Sequence, residues 1–254
     1  MKMNDSFDNS SIIRIGQISD PHIGDLPAPI SGKEVSEHFL KALAAVEKAN
    51  CDLLVVSGDI AQVNGEEKSY LFFNEAMKKY KGRWCAISGN HDRNEVFSRL
   101  VKLDPPMDGD EYFYKISVKN RFIFFLDTSK NEVSDRQLSW LKEEASRTKD
   151  EILLFMHHPP CLCHHRFMDA HYAIKKMDEV QKALREIKNL RSIFVGHYHS
   201  NLQIQWEWKN IYVTPSTQMQ LDATVEEFKV ESTRPAWRLI KWGKDFLETS
   251  VQMI

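Results

Sequence analysis

The stretch DLLVVSGD at residues 52–59 carries the pattern from which the fold can be predicted. Its first part is a run of apolar and β-branched side chains, which predicts a buried β-strand, and the strand ends at a polar turn that contains Asp59. Two other stretches have the same form, IIRIGQI at residues 12–18 and WCAI at residues 84–87, and each is followed at once by a polar turn. The sequence therefore repeats one strand-to-turn unit three times.

Apolar residues at helical spacing fill the intervals between these strands. Residues 36–49 and 66–80 repeat apolar side chains every three or four positions, as expected for helices with one buried face. The side chains predicted to face the core are Phe39, Leu40, Leu43 and Val46 in the first helix and Tyr70, Phe73 and Met77 in the second. A strand, a polar turn and a helix, repeated in this order, predict βαβ units and a largely parallel sheet.

The rest of the chain predicts more strands and helices in a less regular order. The predicted elements are strands 111–118 and 121–127 around a hairpin turn at Lys119 and Asn120, helix 134–147 opened by a Ser134-x-x-Gln137 capping box, strand 151–156, helix 176–189, strand 192–195, and antiparallel hairpins over 202–213 and 236–250. This order fits an α/β fold in which two packed sheets are flanked by helices. We expect one domain over residues 12–254, preceded by a flexible segment at residues 1–11.

Composition and charge are those of an ordinary globular protein. The chain has 254 residues, of which 42% are hydrophobic and 28% charged. Its 34 basic and 36 acidic residues leave a net charge of −2, so no overall basic field attracts a nucleic acid polymer. No run approaches the roughly 20 apolar residues that cross a bilayer, and residues 1–11 lack the apolar segment of a secretory signal. These features predict a cytoplasmic protein with neither a membrane nor a nucleic acid partner.

The four cysteines do not predict a disulfide framework in a chain of this length. Cys51 and Cys85 adjoin apolar runs and are expected to be buried thiols. Cys161 and Cys163 are followed by two histidines, but their spacing differs from the Cys-x-x-Cys of zinc sites and no second cysteine pair follows. The spacing therefore argues against zinc at this position.

The polar residues best suited to bind a metal lie directly after predicted strands. Ligands bind in α/β folds in the crevice beyond the carboxyl ends of the strands, and six of the ten histidines lie at such ends. The candidate residues are Asp20, His22, Asp59, Asn90, His91, His157, His197 and His199. Their placement predicts one shared site.

These residue types point to a particular chemistry. Carboxylates, imidazoles and an amide without thiolate suit Mn, Fe, Zn or Co better than Ca or Mg. A carboxylate such as Asp59 can bridge two ions, and two ions roughly 3.5–4 Å apart turn a water into hydroxide and stabilise in-line displacement at phosphorus. An imidazole that is not a ligand can then protonate the leaving alkoxide.

Each motif by itself has a plainer interpretation. The pair GD at 58–59 is mostly a turn, and HYH at 197–199 can alternate between two faces of a strand. The string GNHD at 89–92 is rarer, because average composition gives it by chance in roughly one chain in a thousand. The occurrence of all the motifs together, at strand ends, favours the shared site.

Five blocks of sequence together resemble the calcineurin-like metallophosphoesterases. The blocks are Asp20-Pro21-His22, Gly58-Asp59, Gly89-Asn90-His91-Asp92, His157 and Gly196-His197-Tyr198-His199. They extend over most of the chain. The resemblance implies a four-layer αββα sandwich, with two mixed β-sheets flanked by helices, and a dinuclear metal centre.

The resemblance also implies a role for each site residue. The first metal ion would be held by Asp20, His22, Asp59 and His199, and the second by Asp59 as a bridge with Asn90, His157 and His197. His91 is similar to the family's histidine that is not a ligand and that contacts the scissile phosphate or protonates the leaving group. Asn90 would also help to position the phosphoryl oxygens, and His158 would have a structural role.

Finer features are similar to class III cyclic nucleotide phosphodiesterases and their close relatives. These features are HHPP at 157–160, PST at 215–217 and WRLI at 237–240, whereas GDIAQ at 58–62 departs from the Gly-Asp-x-Val-Asp-Arg-Gly block of the serine/threonine protein phosphatases. The resemblance implies hydrolysis of a small-molecule phosphodiester, with cyclic AMP the first candidate, and a homodimer. The alternatives are a diesterase for glycerophosphodiesters or 2′,3′-cyclic nucleotides, a broad phosphomonoesterase, and a non-catalytic scaffold, which the complete ligand set disfavours.

Two long connections are candidates to shape the specificity of the site, and three aromatic residues are candidates for the core or a subunit interface. Residues 161–173 and 23–34 are predicted to be long loops near the site, and such loops are often functional. The side chains of the first loop that could meet a phosphate or a base are His164, His165, Arg166 and His171, although a solvated surface loop is the plainer alternative. Trp206, Trp208 and Phe228 are expected to fill the core or a subunit interface rather than to stack on a nucleotide.

Overall fold

The structure is a computed structural model that describes residues 12–24, 32–101, 107 and 109–254. The segment 1–11, expected to be flexible, and most of the predicted loop 23–34 lie outside the described residues. The elements are, in chain order, β1 (Ile13–Ile18), α1 (Gly32–Lys48), β2 (Leu53–Ser57), α2 (Glu67–Lys79), β3 (Trp84–Ile87), α3 (Asn94–Val101), β4 (Tyr114–Val118), β5 (Arg121–Phe125), α4 (Asp135–Ser146), β6 (Ile152–Phe155), α5 (Arg166–His171), α6 (Met177–Glu186), β7 (Leu190–Val195), β8 (Leu202–Trp206), β9 (Lys209–Val213), β10 (Gln220–Leu221), β11 (Val230–Ser232), β12 (Ala236–Trp242) and β13 (Leu247–Met253).

The strands form two mixed sheets, as predicted, together with the small β10–β11 pair. The first sheet has the order β13-β12-β1-β2-β3 and the second has the order β4-β5-β6-β7-β9-β8. Parallel pairing is confined to β1-β2-β3 and to β5-β6-β7-β9, and the remaining neighbours are antiparallel. The parallel pairing predicted from the first three strands is confirmed for β1-β2-β3, and the predicted hairpins are confirmed as the antiparallel pairs β4-β5, β8-β9 and β12-β13.

A row of stacked aromatic rings crosses the inner face of the second sheet. Tyr114, Phe125, Phe155, Phe194 and Tyr212 come from five adjacent strands, and each is paired in register with the next. Their ring centroids are 4.6, 5.6, 5.1 and 4.9 Å apart in that order. Such contacts add about 0.5–1.5 kcal/mol per pair to the gain from burial. The ladder holds the strands of this sheet in a fixed register.

Successive side chains of the strands point alternately into two different hydrophobic cores, which shows that the fold has four layers. Leu153 and Phe155 of β6 belong to the core shared with the first sheet, whereas Ile152 and Leu154 belong to a second core with α4 and α6. Successive side chains of a strand point to opposite faces, so this sheet is buried on both sides. Helix α1 covers the first sheet, where Gly16 leaves room for Val46. The predicted arrangement of two sheets flanked by helices is confirmed, while the assignment of residues 12–254 to one domain stays a prediction.

Several local predictions differ from the structure. Leu40 is 43% exposed, so it does not share the buried face of α1. Ser134 accepts the N–H of Gln137 at 3.3 Å, but the Gln137 side chain bonds to Glu111 and Asp127 instead of closing the capping box. Cys85 is buried as expected, whereas Cys51 is only half-buried.

Predictions about the loop 161–173 and about two aromatic residues also differ from the structure. Residues 161–173 contain the short helix α5 and are not one continuous loop. Trp208 and Phe228 are 43% and 55% exposed, so they do not fill the core, while the alternative of a subunit interface stays a prediction. Within the described ranges, no helix combines the length and the apolar character needed to span a bilayer.

Candidate metal centre and active site

The seven predicted metal ligands lie just after strands of both sheets. Asp20, His22, Asp59 and Asn90 follow β1, β2 and β3 of the first sheet, while His157, His197 and His199 follow β6 and β7 of the second. Six of the seven are buried, and Asn90 is half-buried. The structure brings these residues to one edge of the sandwich, where the two sheets face each other.

Asp20, His22 and His199 form the first ligand group. The Nε2 atoms of the two histidines are 3.1 Å apart, and Nε2 of His199 lies 3.4 Å from Oδ1 of Asp20. Nδ1 of His22 is 3.2 Å from the carbonyl oxygen of Gln62, and Nδ1 of His199 is 3.1 Å from that of Met219. A backbone carbonyl that accepts Nδ1–H leaves the Nε2 lone pair free for a cation.

Asp59, His157 and His197 form the second group. Nε2 of His157 lies 3.2 Å from Oδ2 of Asp59, and its Nδ1–H is donated to the carbonyl oxygen of Ser57 at 2.8 Å. Oδ2 of Asp59 is also 3.6 Å from Nε2 of His22. Asp59 therefore lies between the two groups, as expected for the residue predicted to bridge two ions.

Two buried polar atoms show that the site fits a cation. Oδ1 of Asn90 and Nε2 of His157 have no hydrogen-bond partner among the described residues, although His157 is close to the Asp59 carboxylate. Buried polar atoms in native proteins nearly always have a partner. Both atoms are donors of an electron pair to a metal, and both lie on residues assigned to the second ion. These two atoms without partners and the two carboxylates beside them together favour a cation at this position.

Burial and the neighbouring carboxylates together set the pKa values of three of the imidazoles. Burial lowers the pKa of His22 to about 3, and burial with the charge of His157 lowers that of His197 to about 4, so both rings are neutral and able to bind a metal. Burial would also lower the pKa of His157, but the Asp59 and Asp20 carboxylates outweigh it and raise the pKa to about 10. A cation between these carboxylates would replace the proton that they otherwise hold on His157.

Five of the candidate ligands have a left-handed backbone. The φ angles are 51° for Asp20, 42° for His22, 50° for Asp59, 66° for His197 and 47° for His199. Non-glycine residues adopt this region infrequently, although Asn, Asp and His do so more readily than other types. Such conformations cost on the order of 1–3 kcal/mol each and persist where the surroundings hold them, which is common at functional sites.

Two glycines next to the ligands allow the loops to come together. A Cβ atom at Gly89 would lie 2.2 Å from Oδ1 of Asp59, and one at Gly58 would lie 2.4 Å from Nδ1 of His157. Gly58 also has a φ of +98°, which favours glycine. These close approaches explain why glycine precedes Asp59 and Asn90 in the sequence motifs.

His91 is placed beside the metal groups by its backbone and its ring. Its N–H donates to Oδ1 of Asp59 at 2.8 Å, and its Nδ1 lies 2.7 Å from the carbonyl oxygen of Gln62, which also accepts from His22. The rings of His91 and His22 meet edge to face at 4.8 Å. With Nδ1–H donated to Gln62, Nε2 is the atom of His91 that can exchange a proton with a substrate.

His158 has contacts that support a structural role. Its Nδ1 is 2.8 Å from Oγ1 of Thr128, and its ring lies 4.0 Å from that of His197, at an angle of 39°. It is buried, and it lies in none of the groups that could hold a metal in the described part of the chain. Cys161 and Cys163 are buried too, and the Cys163 thiol donates to the carbonyl oxygen of Cys161 at 3.3 Å.

Asp92 has an important structural role that the sequence reasoning missed. Its carboxylate accepts N–H groups from Ile60 (3.1 Å), Ala61 (2.9 Å) and Gly89 (2.9 Å), and the hydroxyl of Tyr70 (3.0 Å). It therefore ties the loop after β2 to the loop after β3. Asp92 is the last residue of the GNHD string at 89–92, but the sequence alone does not indicate that its side chain faces backbone N–H groups.

Asp92→Asn is expected to weaken both the fold and the metal site. The amide –NH₂ would face backbone N–H groups that now donate to a carboxylate oxygen, and each unsatisfied buried donor costs about 1–3 kcal/mol. Loss of such support for ligands typically weakens metal affinity about 10–100-fold. Urea unfolding in chelator and Mn²⁺ titration would measure both effects, with Asp110→Asn on the surface as the control. Equal unfolding midpoints for the variant and the wild type would contradict this role.

Comparisons with known proteins agree with this geometry. Residues 13–201 match the model of the family described as Calcineurin-like phosphoesterase. A protein of Fibrobacter succinogenes named as a probable cyclic nucleotide phosphodiesterase is 46% identical over 240 residues, which cover 94% of this chain and 93% of that protein. The 3′,5′-cyclic adenosine monophosphate phosphodiesterase CpdA of Haemophilus influenzae is 25% identical over 96% of this chain and 90% of its own. A solved dimetal phosphatase from Danio rerio has the same fold, with a TM-score of 0.69, 14% identity and coverage of 93% of this chain and 98% of its own.

Proposed function

Since this chain belongs to the calcineurin-like phosphoesterase family, we propose that it is a metal-dependent phosphodiesterase whose first candidate substrate is 3′,5′-cyclic AMP. The observation that carries the proposal is the pair of ligand groups with Asp59 between them. The names of the Fibrobacter and Haemophilus relatives support a cyclic nucleotide, because the chains match over nearly their full lengths. The substrate is then a small molecule.

The assignment of the ligands is part of this proposal. Asp20, His22, Asp59 and His199 would hold the first ion, and Asp59, Asn90, His157 and His197 the second. Imidazoles, carboxylates and an amide form a donor set that suits Mn, Fe, Zn or Co. His91 lies within reach of His22 and Asp59, but its bond to Gln62 and its partial exposure support a role in proton transfer instead.

The protein's own groups orient the substrate and move a proton. Bound divalent ions would supply Lewis-acid chemistry that activates water and neutralises charge on the phosphoryl group. The side chain of Asn90 would help to position the phosphoryl oxygens, so that the attacking water lies opposite the departing O3′. His91, with Nδ1–H on the Gln62 carbonyl, would donate its Nε2 proton to the departing O3′. Departure of O3′ gives 5′-AMP as the product.

Removal and return of metal test the proposed reaction. Protein treated with chelator is expected to lose hydrolysis of cyclic AMP, and Mn²⁺ is expected to restore it, with 5′-AMP identified by chromatography. The same preparation should be assayed on 2′,3′-cyclic AMP and a glycerophosphodiester. If Mn²⁺, Fe²⁺, Zn²⁺ and Co²⁺ all fail to restore hydrolysis of cyclic AMP, the proposed substrate is wrong.

Two further expectations remain part of the proposal. A homodimer is expected from the resemblance to class III phosphodiesterases, and analytical ultracentrifugation would measure it. A cytoplasmic location, without a nucleic acid or membrane partner, is expected from the charge and composition of the sequence. Fractionation of cells would test the location directly.

A further inference from the structure

Four aromatic rings form a continuous patch on the surface beside the candidate metal centre. The aromatic patch consists of Phe167, His171, Tyr172 and Phe228. The centroid of the Phe167 ring lies 5.1 Å from that of His171, 5.6 Å from Tyr172 and 5.8 Å from Phe228. Tyr172 is 51% exposed and Phe228 is 55% exposed. Large apolar rings left this open to water usually mark a binding surface.

The aromatic patch is connected to the second ligand group through the backbone of Tyr172. The backbone carbonyl of Tyr172 is 3.0 Å from Nε2 of His197, so the residue that carries one ring of the patch also orients a candidate metal ligand. Tyr198 lies between His197 and His199 in the sequence. Its hydroxyl donates to the carboxylate of Asp169 in α5 at 2.9 Å. The patch therefore borders the edge of the site formed by the second sheet.

The patch is also built on a fixed support. Asp169 accepts the N–H groups of Cys163 and His165, which anchors the start of α5. The N–H of Arg166 donates to the carbonyl of Ala223 at 3.0 Å, and its guanidinium forms an ion pair with Glu226. These bonds tie α5 to the connection that carries Phe228. Rings that are held in place before binding lose little conformational freedom on binding.

We propose that the aromatic patch stacks on the base of the bound nucleotide, and this inference rests on the proposed function. With the phosphate at the metal centre, the base of a nucleotide extends outward by the length of a sugar. The patch offers π-faces at the rim of the site, and the charge of Arg166 beside it is paired with Glu226. Stacking on such faces is tolerant of the identity of the base. The enzyme would therefore prefer nucleotides over base-free diesters without strong discrimination among bases.

Two substrates that differ only in the base test the patch. Tyr172→Leu and Phe228→Leu would be assayed on cyclic AMP and on a ribose 3′,5′-cyclic phosphate without a base. Each variant is expected to lose about 10-fold in kcat/KM for cyclic AMP, mostly through KM. Phe228→Leu should keep the wild-type rate on the base-free diester, and Tyr172→Leu should lose more activity on cyclic AMP than on that diester. Trp208→Leu is the matched control, because this exposed ring precedes β9 at the opposite end from the candidate site.

The possible outcomes separate the inference from the function that it rests on. Wild-type protein that does not hydrolyse cyclic AMP would overturn the proposed function, and the inference with it. Active wild type whose variants keep their preference for cyclic AMP would overturn the inference alone. An equal loss on both substrates would mean that the rings act through His197 rather than through a base. Conversion of a dimer to a monomer, with the preference intact, would assign the patch to self-association and also overturn the inference.

Discussion

Asp59→Asn is expected to lower turnover of the diester by on the order of 10³-fold and to remove most of the bound metal. The Asp59 carboxylate lies between the two ligand groups, 3.2 Å from His157 and 3.6 Å from His22. An amide has one oxygen to offer and no charge, so it cannot replace a bridging carboxylate. Metal ions supply several kcal/mol of charge stabilisation, and each 1.36 kcal/mol corresponds to a factor of ten in rate.

Metal analysis distinguishes this explanation from a general loss of structure. We expect elemental analysis to show fewer than two ions per Asp59→Asn chain, while its circular dichroism stays like that of the wild type. Asp110→Asn provides the control, because Asp110 is exposed and paired only with Lys130 among the described residues. Full activity with two bound ions in the Asp59 variant would show that the carboxylate is not a bridge.

His91→Gln is expected to slow hydrolysis of cyclic AMP by about 10²–10⁴-fold while the metal content stays unchanged. The alkoxide that leaves cyclic AMP is a poor leaving group and needs a proton from Nε2 of His91. A p-nitrophenolate leaving group does not need this proton. Hydrolysis of bis(p-nitrophenyl) phosphate should therefore fall much less than hydrolysis of cyclic AMP.

The comparison of the two substrates decides the role of His91. His38→Gln, on α1, is the control for loss of an imidazole elsewhere. If His91→Gln lowers both rates equally and also lowers the metal content, His91 is a ligand, as its closeness to His22 and Asp59 permits. If neither rate changes, another group protonates the leaving oxygen.

The sequence was sufficient to predict the strand ends and the residues that meet there. Apolar runs identify β1, β2, β3, β6 and β7, and the carboxyl ends of parallel strands in one sheet lie at the same edge. The meeting of the two sheets at one site was not a result of periodicity alone. It followed from the placement of the polar residues after strands along the whole chain, and the resemblance of the five motif blocks to a known family added the division of the ligands between two ions.

Other features depended on contacts between distant parts of the chain and could not be predicted. Pairing of β12 with β1 joins strands that are far apart in sequence, and a hairpin pattern does not indicate where the hairpin docks. Residues 161–173 were predicted to be a loop because α5 is only six residues long. His171 was named as a side chain that could meet a base, but its contact with Phe167 could not be predicted. Left-handed φ angles at five ligands are imposed by the surroundings, and the residue types only permit them.

The division of the ligands between two sheets sets the order in which a newly made chain can acquire its metal centre. The four ligands after the strands of the first sheet are all present once residue 90 has been synthesised, but the others come only between residues 157 and 199. Strand β12, which lies beside β1, is made later still. Between the synthesis of residue 90 and that of residue 157, the growing chain therefore holds only the ligands of the first sheet. The remaining ligands lie on the other sheet. The enzyme can therefore be active only after the ribosome has released the chain and the two sheets have packed against each other.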